Sequence, residues 1–200
     1  MKSIENKIFS SIKGSGRGYI FSATDFVDKF NSSTIDWALA NLVQSGKIRR
    51  LMRGIYEFPK YSNLLEQYLN PEIDKLAYAL AKKFNWRIAP SGDTALNLLG
   101  LSTQVPGRYI YLSDGPSRQY EFLGNKIEFK KTAAKNIGFK YPDSNLLVQA
   151  LTTLGKKNIT KNIIDKLKLR IDKKLYDKIS NDTKTVNDWV YKIIKQICSK

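Results

Sequence analysis

One segment in the first third of the chain, residues 22–58, constrains the fold more than any other. It reads SATDFVDKFNSSTIDWALANLVQSGKIRRLMRGIYEF. Two short runs with apolar residues at helical spacing come first, and Gly46 supplies a C-terminal stop for the second run. Two short runs suited to a pleated sheet then surround Arg53 and Gly54. Two helices, a tight turn between them and a β-hairpin predict a winged helix-turn-helix.

The starts of both predicted helices carry the same polar pattern. Ser22 is followed three residues later by Asp25, and Ser33 is followed in the same way by Asp36. A serine oxygen at a helix start accepts hydrogen bonds from unpaired backbone N–H groups, and an acidic residue is favoured in the positive first turn. We therefore expect Ser22 and Ser33 to cap the two helices, and Asp36 to serve the cap rather than DNA.

The residues before this segment complete the module. Residues 3–13 carry apolar side chains at helical spacing, and residues 19–21 form a short strand-like run. The glycine-rich stretch between them, GSGRG at residues 14–18, follows a helix and precedes a strand, which is the reverse of a phosphate-binding loop. It is predicted to be a flexible connector whose exposed Arg17 can contact a DNA phosphate.

Positive charge concentrates on the predicted hairpin, because no acidic residue lies between Asp36 and Glu57. The preceding helix presents a polar face on which Asn41 can hydrogen-bond an adenine edge, and its hydroxyl-rich start suits phosphate contacts. Trp37 either stacks on a partner or packs against the wing, and the sequence leaves both open. The candidate DNA-binding residues are Arg17, Ser32, Ser33, Thr34, Trp37, Asn41, Lys47, Arg49, Arg50 and Arg53.

The bulk charge indicates a polyanionic partner. The chain has 34 Lys+Arg against 18 Asp+Glu, a formal net charge of +16. Such a field attracts DNA, RNA or an acidic protein. A membrane surface is disfavoured, because the charge is spread along the chain rather than gathered on one amphipathic helix. From residue 145 onward 13 Lys/Arg face 5 Asp/Glu, and both a solvated surface and a second contact with nucleic acid or protein stay open there.

Histidine, which much enzyme and metal chemistry requires, is missing, and cysteine occurs only once. The chain has no histidine, which removes Ser-His-Asp, Cys-His and zinc sites. The single cysteine, Cys198, cannot form a disulfide within the chain, as is typical of a reducing cytoplasm. Neither a signal peptide nor a membrane-spanning run is expected.

Asp114, Glu121 and Glu128 are candidate magnesium ligands, but solvated carboxylates are favoured. We expect a cytoplasmic protein that is not an enzyme and holds no cofactor or metal.

The chain beyond the hairpin is predicted to form a second domain, which makes the whole protein α+β. Residues 61–70 are expected to link a winged-helix domain of residues 1–60 to a C-terminal domain of residues 71–200. That domain is expected to contain a small α+β part with an antiparallel meander to about residue 132, and a helical region from about residue 143.

Two segments of the chain resemble one protein family. They are GKIRRLMRGIYEFP at the wing, and PSGDTALNLLGLSTQVP followed by YIYLSDGPSR. Over roughly residues 1–132 the chain resembles the AbiEi-type antitoxins of bacterial abortive-infection (type IV) toxin–antitoxin systems. The resemblance implies a winged helix that binds inverted repeats in double-stranded DNA and represses its own operon. It also implies a C-terminal domain that counters a nucleotidyltransferase-class toxin encoded next door, with or without a stable complex.

The chain departs from that family at one place and leaves one alternative open. Recognition helices of the family often carry arginines where this chain has Trp37 and Asn41, which shifts the expected binding toward the wing. In the second domain, Arg108 and Arg118 flank the DGPS turn and form the candidate antitoxin surface. They can clamp a phosphate or an acidic partner, or form ion pairs within the chain. The alternative function is a winged-helix transcription regulator or protein-interaction module without antitoxin activity. An enzyme or binding factor acting on RNA is supported only by the basic tail.

Overall fold

The computed structural model describes residues 3–104 and 107–199, and the chain divides into two compact units. The first unit is Met1–Asn85 and the second is Trp86–Lys200. Both units combine helices with small sheets, so the α+β class predicted from the sequence is confirmed. Within the described residues, no helix has the length and apolar character needed to span a membrane.

The first unit begins with the element order of a winged helix-turn-helix. Its elements are α1 (Ile4–Gly14), β1 (Tyr19–Phe21), a 3-10 helix (Ala23–Phe26), α2 (Ser32–Gln44), β2 (Arg49–Met52) and β3 (Ile55–Phe58). The strands form an antiparallel sheet in the order β1-β3-β2, and the turn between β2 and β3 is Arg53-Gly54. Gly54 has a positive φ of 72°, which a residue with a side chain rarely adopts. The predicted winged helix-turn-helix is confirmed.

An apolar core joins α1, the 3-10 helix, α2 and the sheet. Its most deeply buried members are Ile8, Ile12, Phe21, Ile35, Ala38, Leu39 and Leu42. On α2 the buried positions recur every three or four residues, which is the spacing of one helix face. The core therefore fixes which side of α2 faces solvent.

The cap of the 3-10 helix is the one predicted from the sequence, whereas the cap of α2 is a different residue from the one predicted. The backbone N–H of Ser22 donates to Asp25 Oδ2 at 2.8 Å, which confirms the capping box there. The cap predicted at Ser33 is wrong, because α2 is capped by Asn31, whose Oδ1 accepts from the backbone N–H of Thr34 at 3.0 Å. An asparagine oxygen serves this position as well as a serine oxygen does, so the cap moved two residues upstream.

The division of the chain differs from the linker expected at residues 61–70. These residues contain a hairpin of β4 (Tyr61–Ser62) and β5 (Gln67–Tyr68), and the following helix, α3 (Ile73–Lys83), belongs to the first unit. Helix α3 packs against β1, more than fifty positions earlier in the sequence. The expected domains of residues 1–60 and 71–200 are corrected accordingly, because no local pattern reveals such a long-range contact.

The second unit contains a four-stranded sheet. Its strands are β6 (Ile88–Pro90), β7 (Arg108–Ser113), β8 (Arg118–Phe122) and β9 (Asn125–Lys131), arranged in the order β6-β7-β9-β8. Strands β6 and β7 are antiparallel, as are β8 and β9, but β7 runs parallel to β9. The predicted meander is therefore wrong. Ile127 and Phe129 of β9 are fully buried whereas β8 is largely exposed, as expected for an interior strand beside an edge strand.

Helices form the remainder of the second unit. They are α4 (Asp93–Leu98), α5 (Pro142–Leu154), α6 (Lys161–Arg170), α7 (Tyr176–Asp182) and α8 (Asp188–Ile197). Helix α5 packs against β6, α4, α7 and α8, and α6 packs against α8. The helical region predicted from about residue 143 is confirmed, and it begins with a proline in the first turn of α5.

A fragment of residues 1–85 is expected to unfold cooperatively, because its core lies within these residues. A fragment that ends at Ser62 lacks α3, which buries Leu76 and Leu80. Burial of one leucine contributes about 1.5–3 kcal/mol, so the shorter fragment should be less stable by about 3 kcal/mol or more. Urea unfolding followed by circular dichroism measures both fragments. Equal stabilities would show that α3 does not belong to the first unit.

Candidate nucleic-acid interface

One side of α2 faces solvent, because the opposite side supplies the core. Ser32 and Ser33 are exposed at its start, and the side chain of Trp37 is 58% exposed. Thr34 and Asn41 are half-buried at the margins of this face. More than half of Trp37 is exposed to solvent, so stacking on a partner, one of the two alternatives that the sequence left open, stays a prediction. This face carries every α2 residue proposed for DNA contact.

The first turn of α2 is suited to an anion. The first backbone hydrogen bond of the helix runs from the Ile35 N–H to the Asn31 carbonyl at 3.1 Å, so the N–H groups of Ser32 and Ser33 precede it. These N–H groups lie at the positive end of the helix dipole. Asp36 was expected to serve the cap, but it lies beyond the first turn and is exposed. It is therefore part of the outer face.

Arg49 is engaged inside the first unit rather than free for DNA. Its Nε donates to Oε2 of Glu57, whose residue is only 2% exposed, and its second terminal nitrogen donates to the carbonyl of Leu69. A carboxylate so deeply buried requires a cationic partner. The expected phosphate contact of Arg49 is corrected to a structural role that joins β2, β3 and the residue after β5.

Lys47 and Arg17 also have partners within the first unit. Lys47 Nζ lies 3.3 Å from Glu5 Oε1, in a pair exposed enough to be weak. Arg17 donates to the carbonyl of Pro59 at 3.0 Å, and its guanidinium carbon lies 4.2 Å from the ring centroid of Phe58. Arg17 thus anchors the end of β3, whereas Lys47 is free to exchange its partner for a phosphate.

Three cations gather at the turn between β2 and β3, and we call them the wing-tip cluster: Arg50, Arg53 and Lys83. Arg50 and Arg53 are exposed, and Lys83 Nζ donates to the backbone carbonyl of Arg53 at 2.9 Å. Burial, followed by the charges of Arg53 and Arg50, lowers the pKa of Lys83. Within the described residues, no carboxylate lies within 4 Å of any of the three cations.

The wing-tip cluster is an uncompensated positive site. Like charges held together without a counter-ion repel one another, and an anion that binds among them relieves this repulsion. Phosphate is suited to the role, because arginine and lysine donate to its oxygens in charge-assisted hydrogen bonds. Sequence reasoning found Arg50 and Arg53 but missed Lys83, which lies 30 positions after Arg53 in a helix expected to belong to another domain.

The two arginines of the candidate antitoxin surface are not brought together. Arg108 lies opposite Lys126 and Arg118 lies opposite Phe129, on the two sides of β9. Three residues along a strand span about 10 Å, so the two guanidinium groups do not form one clamp. Arg108 also lies 3.4 Å from Glu128 Oε2. The sequence alternative of an ion pair within the chain is therefore confirmed for Arg108.

The DGPS turn holds an aromatic side chain. A Cβ atom on Gly115 would lie 2.5 Å from the ring of Trp86, so the ring occupies the space that only glycine leaves. The guanidinium carbon of Arg118 lies 5.6 Å from the centroid of the same ring. Burial favours a higher pKa for the Asp114 carboxyl, but two hydrogen bonds from Arg87, both 2.8 Å, and its charge outweigh this and lower the pKa. The DGPS turn thus packs against the ring of Trp86 and is held by the hydrogen bonds from Arg87 to Asp114.

The carboxylates considered as magnesium ligands do not converge. Among the residues described by the structure, no group of three or more His, Cys, Asp and Glu side chains could hold a metal ion. Asp114 is bound by Arg87, and Glu128 lies near Arg108 and Lys130. These carboxylates therefore balance nearby cations of the second unit.

The fold defines a winged-helix unit followed by an α+β unit. The chain belongs to DUF6088, a family of unknown function, whose model matches residues 7–179. No curated protein matches the chain. Among solved structures, the chain is similar to the crystal structure of RV2827C protein from Mycobacterium tuberculosis. The identity is 13%, the match covers 96% of this chain and 76% of that chain, and the TM-score is 0.41. So remote a likeness indicates no function.

Substitution of Arg49 by methionine is expected to lower the free energy of unfolding by about 3 kcal/mol, because Glu57 would keep a buried charge without its partner. Arg50, the next residue along the strand, is exposed, so Arg50→Met should change the free energy of unfolding by less than about 0.5 kcal/mol. Chemical denaturation compares the two variants, and adding Glu57→Gln to Arg49→Met should restore part of the loss. If both single variants were equally stable, the ion pair would have no structural role.

Substitution of Gly115 by alanine is expected to destabilise the second unit by about 2 kcal/mol, since the added methyl group would overlap the ring of Trp86. Gly107 offers a matched control, because nothing lies within 4 Å of a Cβ atom placed there. Tryptophan fluorescence during thermal unfolding of Gly115→Ala and Gly107→Ala measures the difference. A Gly115→Ala protein with unchanged unfolding would refute the packing of Trp86 described here.

Proposed function

We propose that this protein is a DNA-binding antitoxin of a type IV toxin–antitoxin system that represses its own operon. The observation that carries the DNA-binding part is the wing-tip cluster. In it, three cations lie together at an exposed turn, and the described residues supply no carboxylate to compensate them. Duplex DNA offers a regular array of phosphates, and release of its counter-ions drives the binding of such a cluster.

The proposed binding mode follows from the positions of α2 and the wing. The exposed face of α2, which bears Trp37 and Asn41, enters the major groove. The N–H and hydroxyl groups of Ser32 and Ser33 contact a phosphate at the start of the helix. The wing-tip cluster, together with Lys47, contacts the backbone beside the groove. Arg17 and Arg49 do not touch DNA and instead hold the wing in place.

The antitoxin part of the proposal rests on the second unit. The segments that resemble AbiEi-type antitoxins include α4 and the DGPS turn, and Val105 and Pro106 at the end of the first segment lie outside the described residues. The buried hydroxyl of Thr94 in α4 accepts from the backbone N–H of Ile110 in β7 at 2.8 Å, which ties the two segments together. We propose that this cytoplasmic protein counters a nucleotidyltransferase-class toxin, with or without a stable complex.

A protein-interaction role without antitoxin activity is the second candidate, and the β4–β5 hairpin favours it. Four of its large side chains are exposed, from 47% for Tyr61 to 93% for Leu64, with Leu65 and Tyr68 between these values. The rings of Tyr61 and Tyr68 pack edge-to-face at 5.3 Å. Exposed apolar groups that lie together in this way are typical of surfaces that contact another protein.

DNA binding by the full chain is expected to weaken steeply with salt. If roughly six phosphates are contacted, the logarithm of the association constant falls with the logarithm of salt concentration at a slope of about −5. Replacement of all three wing-tip cations by glutamine should flatten this slope by about 3, since three phosphate contacts are lost. Fluorescence anisotropy with a duplex from the protein's own promoter measures both slopes. A slope near zero for the unmodified chain would contradict DNA binding.

A single-residue comparison separates the wing-tip cluster from general positive charge. Lys83→Gln and Lys75→Gln remove the same charge from the same helix, α3, but Lys75 is paired with Glu72 at 2.8 Å. Lys83→Gln is expected to weaken duplex binding several-fold and Lys75→Gln to leave it nearly unchanged. Equal losses would mean that only net charge matters.

The antitoxin role is tested by growth of cells that express the adjacent gene. The full chain is expected to restore growth if that gene encodes the toxin, whereas a fragment of residues 1–85 should bind the promoter without restoring growth. Failure of the full chain to rescue growth, together with intact promoter binding, would leave the transcription regulator as the function. Rescue by the fragment alone would contradict the assignment of antitoxin activity to the second unit.

A further inference from the structure

The exposed face of α2 lacks the side chains that read guanine. Its sequence, SSTIDWALANLVQ, contains no lysine and no arginine. The buried positions Ile35, Ala38, Leu39 and Leu42 fix the orientation of the helix. The outer stripe is formed by Ser33, Asp36, Trp37, Ala40, Asn41 and Gln44. This stripe presents one hydroxyl, one carboxylate, two amides, one indole and one methyl group to the DNA groove.

These groups match the major-groove edges of A·T pairs. The 5-methyl group of thymine is the apolar feature of that groove, and apolar side chains contact it. Asparagine and glutamine donate to N7 and accept from N6 of adenine. Guanine presents two acceptors, O6 and N7, and is read most often by arginine or lysine, which α2 does not have.

We propose, on the basis of the DNA binding proposed above, that the bases read by α2 are predominantly A·T pairs. The indole of Trp37 and the methyl group of Ala40 contact thymine methyl groups, and Asn41 or Gln44 pairs with adenine. The exposure of Trp37, at 58%, leaves the ring available for this contact.

Asp36 disfavours guanine and thymine at the base edge that it faces, but it does not distinguish A·T pairs from G·C pairs. Its exposed carboxylate can only accept hydrogen bonds, so it is compatible with the amino groups of adenine and cytosine. Opposite guanine O6 or N7, or opposite thymine O4, it would place one acceptor against another. A carboxylate on this face also weakens binding to random sequences, because it repels phosphates.

The wing favours the same class of sequence for an independent reason. Runs of A·T pairs narrow the minor groove and strengthen its negative potential, which attracts arginine. Arg50 and Arg53 are exposed at the wing, and Lys83 adds a third charge beside them. A wing tip that enters or borders such a groove therefore binds more tightly beside A·T-rich DNA.

Selection of the full chain against a pool of random duplexes tests the inference. The expected result is enrichment of a site with at least three adjacent A·T pairs, and about a tenfold loss of affinity for each replacement by G·C. Enrichment of a G·C-rich site, or retention of duplexes without enrichment, would overturn this inference and leave DNA binding intact. If no duplex is retained at low salt, DNA binding itself fails, and the inference fails with it.

Two variants test whether side chains of α2 determine which base pairs are selected. Trp37→Arg should shift the selected site toward guanine at one position by about tenfold, since it supplies the missing donor pair. Asn41→Ala should lower affinity for the selected site about tenfold while leaving random duplexes unchanged. Lys47→Gln is the matched control and should weaken selected and random duplexes alike, because Lys47 contacts only the DNA backbone in the proposed binding mode. Thermal unfolding first confirms that each variant is folded. An unchanged selected site for Trp37→Arg would contradict the role of α2.

Discussion

The ion pair between Arg49 and Glu57 fixes where the wing carries its charge. Glu57 lies in the central strand of the sheet and is 2% exposed, and Arg49 reaches it from β2 while also donating to the carbonyl of Leu69. Successive side chains of a strand point to opposite faces, so when Arg49 turns inward its neighbour Arg50 turns outward. One buried carboxylate thus holds the wing in the conformation that leaves Arg50 and Arg53 exposed.

The cations of the first unit fall into two groups with different physical roles. Arg49 and Lys82 pair with the carboxylates of Glu57 and Asp25, and Arg17 contacts the Pro59 carbonyl and the Phe58 ring, so these three cations stabilise the fold. The wing-tip cluster has no carboxylate partner within the described residues, and burial, followed by the charges of Arg53 and Arg50, lowers the pKa of Lys83. Charge alone does not distinguish these two groups of cations. The candidate DNA-binding residues predicted from the sequence therefore included members of both groups. The geometry retains Arg50 and Arg53, and adds Lys83.

Local sequence patterns were enough to predict the fold of residues 4–58, because each helix and turn there has its own sequence signal. Apolar spacing marks α1 and α2, and Arg53-Gly54 marks the turn. The errors in strand order and domain division share one cause, which is competition between distant segments, whereas the error at the cap of α2 was local. Nothing near α3 indicates that it packs against β1, and nothing near β8 indicates that β9 lies between it and β7 in the sheet. The wing-tip cluster was predicted only in part. Arg50 and Arg53, which are close in sequence, were found, and the distant Lys83 was missed.

The central claim is that α2 and the wing form the DNA-binding surface, and amide hydrogen exchange on the full chain tests it most directly. The exchange is compared with and without a saturating duplex from the protein's own promoter. We expect slower exchange at the start of α2 and at the turn between β2 and β3. Protection confined to residues 86–200, or no protection anywhere at a DNA concentration that saturates binding, would contradict the account.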